Sequence, residues 1–444
     1  MVSAERLHIP ARGEPFDSPL ILSLSKDERL AQDRLVKPRA RPPSFDASTS
    51  SRSSRAASRD DRLRTSGART RLLEAIGTTT VVCLVTAVLV AGQAGTADKP
   101  QMAEEVFKNV QVLKGIPVDQ FMGTMGFFSA ALGMNCTDCH VDESGGNWAK
   151  YADDNDLKRT ARRMMQMVSA INKGSFGGRQ VVTCNTCHRG TRRHNVMPSL
   201  ALLYATPPPD EPGDPFDQAP GQPPADQVLD KYIRAIGGAE RLAARTSLVA
   251  KGAYLGFDDA AKNPMEIFAK APGQRTTIVH TPNGDSTTTY DGRAGWIAAP
   301  ETEKPMPLFP LSGQDLDGVK LEAELLFPSR IKQALTNWRV GPPAILGDRE
   351  VQLVQGTTAG GATATLCFDS ESGLLVRLVR FSESPVGRLV SQIDYSDYRE
   401  VSGVRMPFRW TVTWLDGRST FELSDVQPNV PIDAAKFARP AVRR

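Results

Sequence analysis

The chain has 444 residues, which is room for two or three domains, and an ordinary hydrophobic fraction of 40% supports sizeable cores. Its formal net charge is +4, and much of the positive excess lies in the first 71 residues. Because no basic stripe with interleaved aromatic residues follows, nucleic-acid binding is not predicted. Four of the six cysteines stand in two Cys-x-x-Cys-His units, so the sequence shows no obvious disulfide framework.

The first 97 residues are predicted to stand apart from the folded domains. Residues 1–70 are rich in Arg, Ser, Pro and Asp without a sustained hydrophobic period, which is typical of a disordered tail or of sequence upstream of the true start codon. Residues 71–97 place an apolar stretch, Val81–Val90, after a positive flank and before small residues. This order predicts a secretory signal peptide and export to the periplasm. An uncleaved anchor over residues 72–94 is an alternative, because a membrane span needs about 20 residues.

Residues 98–205 are predicted to form a mainly α-helical domain. Apolar residues recur there at helical spacing, and glycine-containing stop signals at residues 115–117 and 172–174 interrupt the pattern. Three segments carry this spacing: Met102–Lys114, Val118–Leu132 and Asp156–Asn172.

Both Cys-x-x-Cys-His units lie in this helical region. Two thiols three residues apart can reach both vinyl groups of one haem, and the histidine that follows can reach its iron. A zinc half-site, a redox-active dithiol or, for the pair of units, a four-thiolate zinc ribbon are alternatives for the cysteines alone. The histidines and the export signal favour two covalently bound c-type haems. The predicted thioether residues are Cys136, Cys139, Cys184 and Cys187, and the predicted iron ligands are His140 and His188.

The sixth ligand of each iron separates electron transfer from catalysis, because an iron with two strong ligands shuttles electrons whereas an open iron binds substrate. Methionine is the expected sixth ligand at a moderately high potential. Composition alone leaves open which methionines ligate and which pack against the haem or the core. The candidates upstream of the two units are Met122, Met125, Met164, Met165 and Met167.

The segments Asn109–His140 and Ala161–Gly190 resemble the tetrahaem cytochrome subunit of purple-bacterial photosynthetic reaction centres. In that family each haem follows a helix that supplies its axial methionine. The resemblance implies Met125, in Gln-Phe-Met-Gly-Thr-Met, as the sixth ligand of the first haem, and Met164, in Ala-Arg-Arg-Met, as that of the second. The third and fourth haem motifs of the family are absent from this sequence, so the resemblance implies a two-haem version.

Three arginines near the predicted haems are candidates for pairing with haem propionates, because a guanidinium matches a carboxylate in a two-pronged contact. A solvated helix face is the alternative for Arg162. His194 is interpreted as a surface residue, with propionate contact or partner docking as the alternatives, and His280 as a structural residue of a strand. The three arginines are Arg162, Arg163 and Arg189.

Residues 206–225 are crowded with proline and predict a semi-rigid linker. Residues 226–444 open with one amphipathic helix, about Asp226–Ala244, and then alternate with period two between turn signals. This pattern predicts an α+β domain with an antiparallel sheet of hairpins. The order of one helix and a long sheet resembles the outer-membrane lipoprotein carrier fold, in which a curved sheet wraps a helix and holds an apolar ligand. No catalytic cluster or phosphate loop is found in residues 226–444.

The sequence therefore predicts a multidomain periplasmic dihaem cytochrome c that carries single electrons between a redox donor and a redox acceptor, with membrane-associated partners. Alternatives are an electron-donor subunit of a photosynthetic reaction centre and an apolar-ligand-binding or sensor protein with redox-active haems. A dihaem peroxidase is disfavoured, because each haem has a methionine available. For the second domain four roles stay open: binding of a lipid, of a quinone or of a protein partner, or simple placement of the cytochrome.

Overall fold

The computed structural model describes residues 99–140, 148–194, 196–205, 215–257, 259–300 and 305–441. The predicted N-terminal extension, the predicted signal peptide or anchor and the first part of the predicted linker lie outside these ranges. Within them, none of the helices combines the length and the apolar character needed to cross a membrane. The described residues all lie in one compact unit of the chain.

The helices of the described residues fall into two groups, one before the proline-rich segment and one after it. They are α1 (Ala103–Val106), α2 (Val118–Leu132), α3 (Cys136–Cys139), α4 (Asp156–Ser175), α5 (Cys184–His188), α6 (Leu200–Leu203), α7 (Ala225–Ala235), α8 (Ala239–Ala243), α9 (Gly313–Glu324) and α10 (Ile331–Ala334). Short 3-10 helices occur at Trp148–Ala152, Pro328–Arg330 and Ala434–Phe437.

Two of the three helices predicted in the first group are confirmed, and the first is mostly wrong. Helix α2 has the predicted bounds, and α4 runs three residues past the predicted end. The segment predicted as a helix from residue 102 to 114 is helical only in α1. Asn109 there has φ of 60°, which a right-handed helix excludes, and Ala103 N–H donates to the Ile116 carbonyl at 2.9 Å. The segment therefore folds back on itself as a loop.

The second group begins with the predicted amphipathic helix, which the structure divides. Helix α7 ends at Ala235, α8 starts at Ala239, and the two glycines between them have φ of 129° and 89°. The buried face of α7 includes Leu229 and Tyr232, and Ile236 follows on the same face. Full burial of a leucine or isoleucine side chain contributes about 1.5–3 kcal/mol, so this face anchors the helix to the sheet.

One large antiparallel sheet dominates residues 247–428, as the alternating pattern predicts. Its strands pair in the order β6-β5-β4-β3-β2-β1-β14-β13-β12-β11-β10-β9-β7, with β8 paired to β9. The strands are β1 (Ser247–Leu255), β2 (Asn263–Lys270), β3 (Gln274–Thr281), β4 (Gly284–Tyr290), β5 (Gly295–Ala298), β6 (Leu308–Pro310), β7 (Thr336–Val340), β8 (Ala344–Leu346), β9 (Arg349–Thr357), β10 (Thr363–Asp369), β11 (Leu375–Ser384), β12 (Gly387–Val401), β13 (Val404–Trp414) and β14 (Gly417–Pro428).

Two meanders of strands meet in the middle of the sheet, where β1 pairs with β14. Turn signals predicted from the sequence close hairpins at the expected places. Thr281 faces Gly284 across the β3–β4 turn, and Trp414 faces Gly417 across the β13–β14 turn. Helices α7 and α8 pack on one face of this sheet, so the second half of the chain is an α+β structure with its core between helices and sheet.

The helical segment, residues 99–205, packs directly against the sheet. Helix α2 supplies most of this contact, and it meets β11 and β12 on one side and β6 on another. Asp119 of α2 accepts hydrogen bonds from the Ser312 backbone N–H at 2.6 Å and from its hydroxyl at 2.9 Å, at the start of α9. The two predicted domains therefore share an interface in which polar groups are satisfied.

Candidate functional site

The first Cys-x-x-Cys-His unit forms the short helix α3, which a reciprocal cap holds in place. The side-chain oxygen of Asn135 accepts from the Asp138 backbone N–H at 2.9 Å, and the Asp138 carboxylate accepts from the Asn135 N–H at 2.8 Å. This arrangement satisfies both otherwise free donors at the helix start. Cys136 is exposed and Cys139 is half-buried, so one helical turn carries both thiols at an open surface.

His140 follows α3 and is fixed by the chain beyond it. Its Nδ1 lies 3.0 Å from the Tyr151 carbonyl oxygen, and its ring stacks on the Tyr151 ring with centroids 4.5 Å apart. A carbonyl oxygen only accepts hydrogen bonds, so Nδ1 carries the proton and Nε2 keeps its lone pair. Burial, with a smaller effect of the Lys158 charge, lowers the pKa of His140. The ring is therefore held neutral, with Nε2 available as a metal ligand.

The second unit forms helix α5, and its histidine has the same hydrogen-bond pattern. His188 Nδ1 lies 3.1 Å from the Thr191 carbonyl oxygen, and because a carbonyl oxygen only accepts hydrogen bonds, Nδ1 is the donor. Beyond the helix, Arg189 and Gly190 have φ of 50° and 79°, and these turn the chain back towards its own histidine. Burial raises the pKa of the Cys184 thiol, whereas Cys187 is exposed.

The two units are brought together through α2, the helix upstream of the first. Gly190 N–H donates to the Ala131 carbonyl at 3.0 Å, so the end of the second unit is tied to the end of α2. Gly133, with φ of 61°, ends α2, and a Cβ there would stand 2.2 Å from the Gly190 carbonyl oxygen. Only glycine fits at this crossing, and the residue sets how closely the two units approach.

Met125 and Met164, the predicted sixth ligands, lie in different surroundings. Met125 of α2 is half-buried and packs against an apolar cluster that Cys184 also contacts. Met164 of α4 is 38% exposed and shares one helix face with Met167 and Ile171, which are also exposed. Such a stripe of exposed apolar side chains is typical of a surface that a ligand or a partner covers.

The other methionines upstream of the units pack against protein. Met165 contacts the same apolar cluster as Met125. Met122 faces the sheet instead, where it packs with Val118, Phe309 and Leu311. The contacts of Met122 therefore lie on the side of β6.

The three arginines predicted to pair with haem propionates differ in the contacts that they already make within the protein. Arg162 forms an ion pair with Asp154 at 2.7 Å, and the hydrogen bond from Arg162 holds the pKa of that carboxyl below its usual range. Arg163 donates to the Thr160 hydroxyl at 2.9 Å on an exposed face. Arg189 is exposed. Arg163 and Arg189 are thus placed to meet an anionic group from solvent, whereas Arg162 serves the fold.

The two other histidines of the described residues, His194 and His280, lie at or near the surface. His194 is exposed, and its ring lies edge-on to that of His188 with centroids 6.0 Å apart. His280 of β3 lies between Asp285, at 2.8 Å from Nδ1, and Glu266, at 3.7 Å from Nε2. These contacts support the structural interpretation of His280 and leave His194 beside the second unit.

A second candidate site is an apolar cavity between the helices and the sheet. It encloses about 70 Å³ and is lined by residues that include Tyr232, Leu248, Tyr395 and Trp410. Arg245 also reaches this cavity and is only 6% exposed. The lining also includes Arg275, Glu322 and Arg405, so the cavity combines apolar walls with several charged side chains, of which Arg245 is buried.

The segment that carries the two Cys-x-x-Cys-His units has relatives among known proteins. Residues 62–200 match the family model of the photosynthetic reaction centre cytochrome C subunit. This segment resembles those cytochrome subunits. The resemblance inferred from the sequence is thereby confirmed, and both Cys-x-x-Cys-His units lie inside the matched range.

Two curated relatives show how much of the cytochrome is shared. The photosynthetic reaction center cytochrome c subunit of Thermochromatium tepidum is 39% identical over 105 residues, which is 23% of this chain and 24% of that protein. The subunit of Roseobacter denitrificans is 34% identical over 115 residues, or 24% of this chain and 29% of that protein. The chain therefore spans only about a quarter of the length of the curated cytochromes it matches.

The part of the chain that contains the sheet is similar in fold to other solved structures. A LolA superfamily protein from Nitrosomonas europaea covers 49% of this chain and 98% of its own, with 14% identity and a TM-score of 0.35. A DUF1329 family protein from Desulfovibrio piger covers 50% of this chain and 100% of its own, with 11% identity and a TM-score of 0.36. Both likenesses concern the fold of about half the chain.

The residues that fix the histidines of the cytochrome-like segment were not found from the sequence. Tyr151 and Asn155 follow the first unit, and Asn155 donates to the Cys139 carbonyl at 2.8 Å while it caps α4. The only signal in the sequence was the cap itself, Asn before Asp at a helix start. In the part of the chain that the structure describes, no three His, Cys, Asp or Glu side chains are grouped as a metal-ion site.

Proposed function

We propose that residues 99–205 hold two covalently bound c-type haems and pass single electrons between redox proteins of the periplasm. The observation that carries this proposal is the hydrogen bond that His140 and His188 both make through Nδ1. In each, Nδ1 donates to a backbone carbonyl, so that Nε2 is left to bind iron. A second hydrogen bond of this kind fixes the tautomer and orientation of histidines that ligate metals.

The cysteines support the same proposal, because each pair stands on a single turn of helix directly before its histidine. Cys136 and Cys139 belong to α3, and Cys184 and Cys187 belong to α5. Helices α3 and α5 are distinct, and each unit supplies two cysteines and one histidine. Each unit therefore has the residues that one haem requires. Within these sites the bound group supplies a reversible one-electron couple, while the protein sets its ligands and its exposure to water.

Met125 and Met164 are proposed as the sixth iron ligands, which favours electron transfer over catalysis. Met125 is half-buried on α2, and Met164 stands on the exposed apolar face of α4. The flexible methionine side chain can adapt to either setting. With both irons six-coordinate, no open position remains for peroxide, and an electron carrier is the better reading.

The haem content of the full-length protein, expressed with a cytochrome c maturation system, tests this proposal. A pyridine haemochrome assay is expected to give two haems per chain, and mass spectrometry is expected to show both covalently attached. Cys184→Ala together with Cys187→Ala should leave one. Bound zinc in place of haem, or a count other than two, would falsify the proposal.

The redox partners are proposed to be membrane-associated proteins, and the relatives suggest one alternative. The curated relatives are named as subunits of photosynthetic reaction centres, so donation to such a centre is an alternative role for this chain. Photo-oxidation of the bound haems in membranes that contain reaction centres would favour it. Haem oxidation only by soluble or respiratory acceptors would favour the general periplasmic carrier.

A second candidate function, binding of an apolar acid in the sheet, is favoured by Arg245. Its guanidinium is buried, burial lowers its pKa, and its partners are the Val401 carbonyl at 3.0 Å and the Met406 sulfur at 3.5 Å. Among the described residues no carboxylate pairs with it. A buried charge without a counter-ion costs several kcal/mol, which an anionic ligand would offset.

Native mass spectrometry of the intact protein tests this candidate function. A co-purifying apolar acid is expected, and Arg245→Met should lose it, since methionine keeps much of the volume without the charge. At about 70 Å³ the cavity is well below the roughly 300 Å³ of a typical small-molecule pocket, so the helices must open to admit a lipid-sized ligand. Absence of any ligand from both proteins would leave Arg245 as a structural residue.

A further inference from the structure

The turn between β11 and β12 contacts helix α2 and the loop before the second Cys-x-x-Cys-His unit. We call residues 383–389 the hairpin tip. Gln120 of α2 donates to the Glu383 carbonyl at 2.6 Å, and Gln180, just before the second unit, donates to the Ser384 carbonyl at 2.9 Å. The tip is thus tied to one helix upstream of the first unit and to the loop that leads into the second.

Two apolar side chains of the hairpin tip are buried against α2. Val386 and Leu389 are 5% and 8% exposed and form one cluster with Leu113, Phe127 and Ala131. The fit is close, since a Cβ on residue 123 of α2 would lie 2.6 Å from the Leu389 side chain. Closely packed contacts of this kind transmit small displacements rather than absorb them.

This same cluster contacts residues of both proposed haem sites. Met125, the proposed sixth ligand of the first haem, packs against it, and so does Cys184, a proposed attachment residue of the second. Met165, the neighbour of the proposed ligand Met164, is a third contact. One apolar cluster, to which the hairpin tip contributes Val386 and Leu389, therefore packs against residues of both proposed sites.

We propose that the hairpin tip is a positioning element for the two haem sites, which sets their ligand geometry and shields them from water. The inference rests on the proposed function. Oxidised haem c carries one more positive charge than reduced haem, and apolar, water-free surroundings disfavour that charge. The shell around a metal site controls solvent access and hence the redox potential. Val386 and Leu389 therefore act to raise the potentials.

A matched pair of leucine variants tests the proposal in the full-length holoprotein. Leu389→Ala opens the cluster behind the haem ligands, whereas Leu353→Ala makes the same change at an equally exposed strand residue, 8% in each case, in a separate cluster. A redox titration of Leu389→Ala is expected to show a downward shift of at least one midpoint potential and a weaker long-wavelength Met–iron band. Leu353→Ala should show neither change.

The outcomes separate this inference from the function on which it rests. Unchanged potentials and an unchanged band in Leu389→Ala, with two haems retained, would overturn the positioning role alone. Shifts of equal size in both leucine variants would also overturn it, because they would show a general effect of a weakened sheet. A protein that never acquires haem would instead contradict the proposed function.

A milder variant keeps the test decisive if Leu389→Ala fails to fold. Gln180→Ala removes one hydrogen bond to the hairpin tip and leaves its apolar contacts in place. A smaller downward shift of potential is expected. The control is Gln427→Ala, because Gln427 is an exposed glutamine of β14 whose side chain donates to Asp425 of the same strand. Equal potentials in the two glutamine variants would overturn the proposal.

Discussion

At the residue scale, the two histidines proposed as iron ligands are oriented by the backbone rather than by charged side chains. Both Nδ1 atoms donate to carbonyls, but only His140 also stacks on a ring, that of Tyr151. His188 instead lies beside the exposed His194. The first site therefore holds its histidine by two kinds of contact, and the second by a hydrogen bond and a turn.

The proposed methionine ligands lead to a spectroscopic prediction. Met125→Ala and Met164→Ala are each expected to remove about half of the long-wavelength band of the oxidised protein, because each removes one of two Met–iron bonds. Visible spectroscopy of the ferric protein measures this loss. Met167→Ala is the matched control, since Met167 lies on the same exposed face as Met164. An intact band in both ligand variants would refute the assignment.

At the element scale, the helices that carry the units are short, and their positions depend on α2. Isolated helices of four or five residues are not stable in water, so α3 and α5 exist through their caps and their packing. Helix α5 gains its place from the hydrogen bond between Gly190 and Ala131. Disruption of the contact between the end of α2 and the second unit should therefore have the largest effect on the position of α5.

A pair of glycine substitutions tests that contact. Gly133→Ala places a Cβ 2.2 Å from the Gly190 carbonyl oxygen and strains a left-handed backbone, so a loss of roughly 1–3 kcal/mol in the free energy of unfolding is expected. Gly174→Ala, near the end of α4, meets nothing within 4 Å and should gain up to about 1 kcal/mol. Urea unfolding followed by circular dichroism measures both. Equal free energies of unfolding for the two variants would show that the backbone around Gly133 and Gly190 can shift at little cost.

At the scale of the whole molecule, the cytochrome-like helices and the sheet meet through buried carboxyl groups as well as apolar clusters. Asp119 of α2 caps the start of α9, and Asp315 lies one turn further along α9. Burial raises the pKa of both groups, the negative charge of Asp119 raises that of Asp315 further, and Arg380 opposes this. The interface therefore contains an acidic pair that favours protonation.

This acidic pair predicts a pH dependence of stability. Because the pKa of Asp315 is higher in the folded than in the unfolded protein, its contribution is present at low pH and is lost as the pH rises through the folded pKa. Asp315→Asn, which cannot ionise, is expected to raise the melting temperature at neutral pH. The gain should shrink as the pH falls towards about 4, near the ordinary aspartate pKa.

Thermal unfolding of the wild-type protein and Asp315→Asn across this pH range measures the effect. Asp348→Asn is a suitable control, because Asp348 is exposed and lies next to Arg349 in a surface turn. A melting temperature of Asp315→Asn that is lower than wild type at every pH would contradict the prediction. It would show that attraction to Arg380 outweighs burial.

Much of the fold was predictable from the sequence because its signals are local. The bounds of α2 and the start of α4 follow from helical spacing and from the Asn155 cap, and the hairpins follow from alternation between turn residues. The predicted helix from residue 102 to 114 failed because the chain there folds back through hydrogen bonds with residues 116–118. Hydrophobic spacing alone does not show such a return.

By itself, the sequence determined the chemistry that depends on neighbouring residues: two thiols and a histidine in fixed order, twice, with methionines one helix upstream. Only the tertiary structure decided which ring nitrogen of each histidine donates to a carbonyl and that α2 contacts the second unit. It alone also showed that the hairpin tip packs against α2. The physical reason is separation along the chain, since Gln120 and Glu383 meet only when the whole sheet has formed.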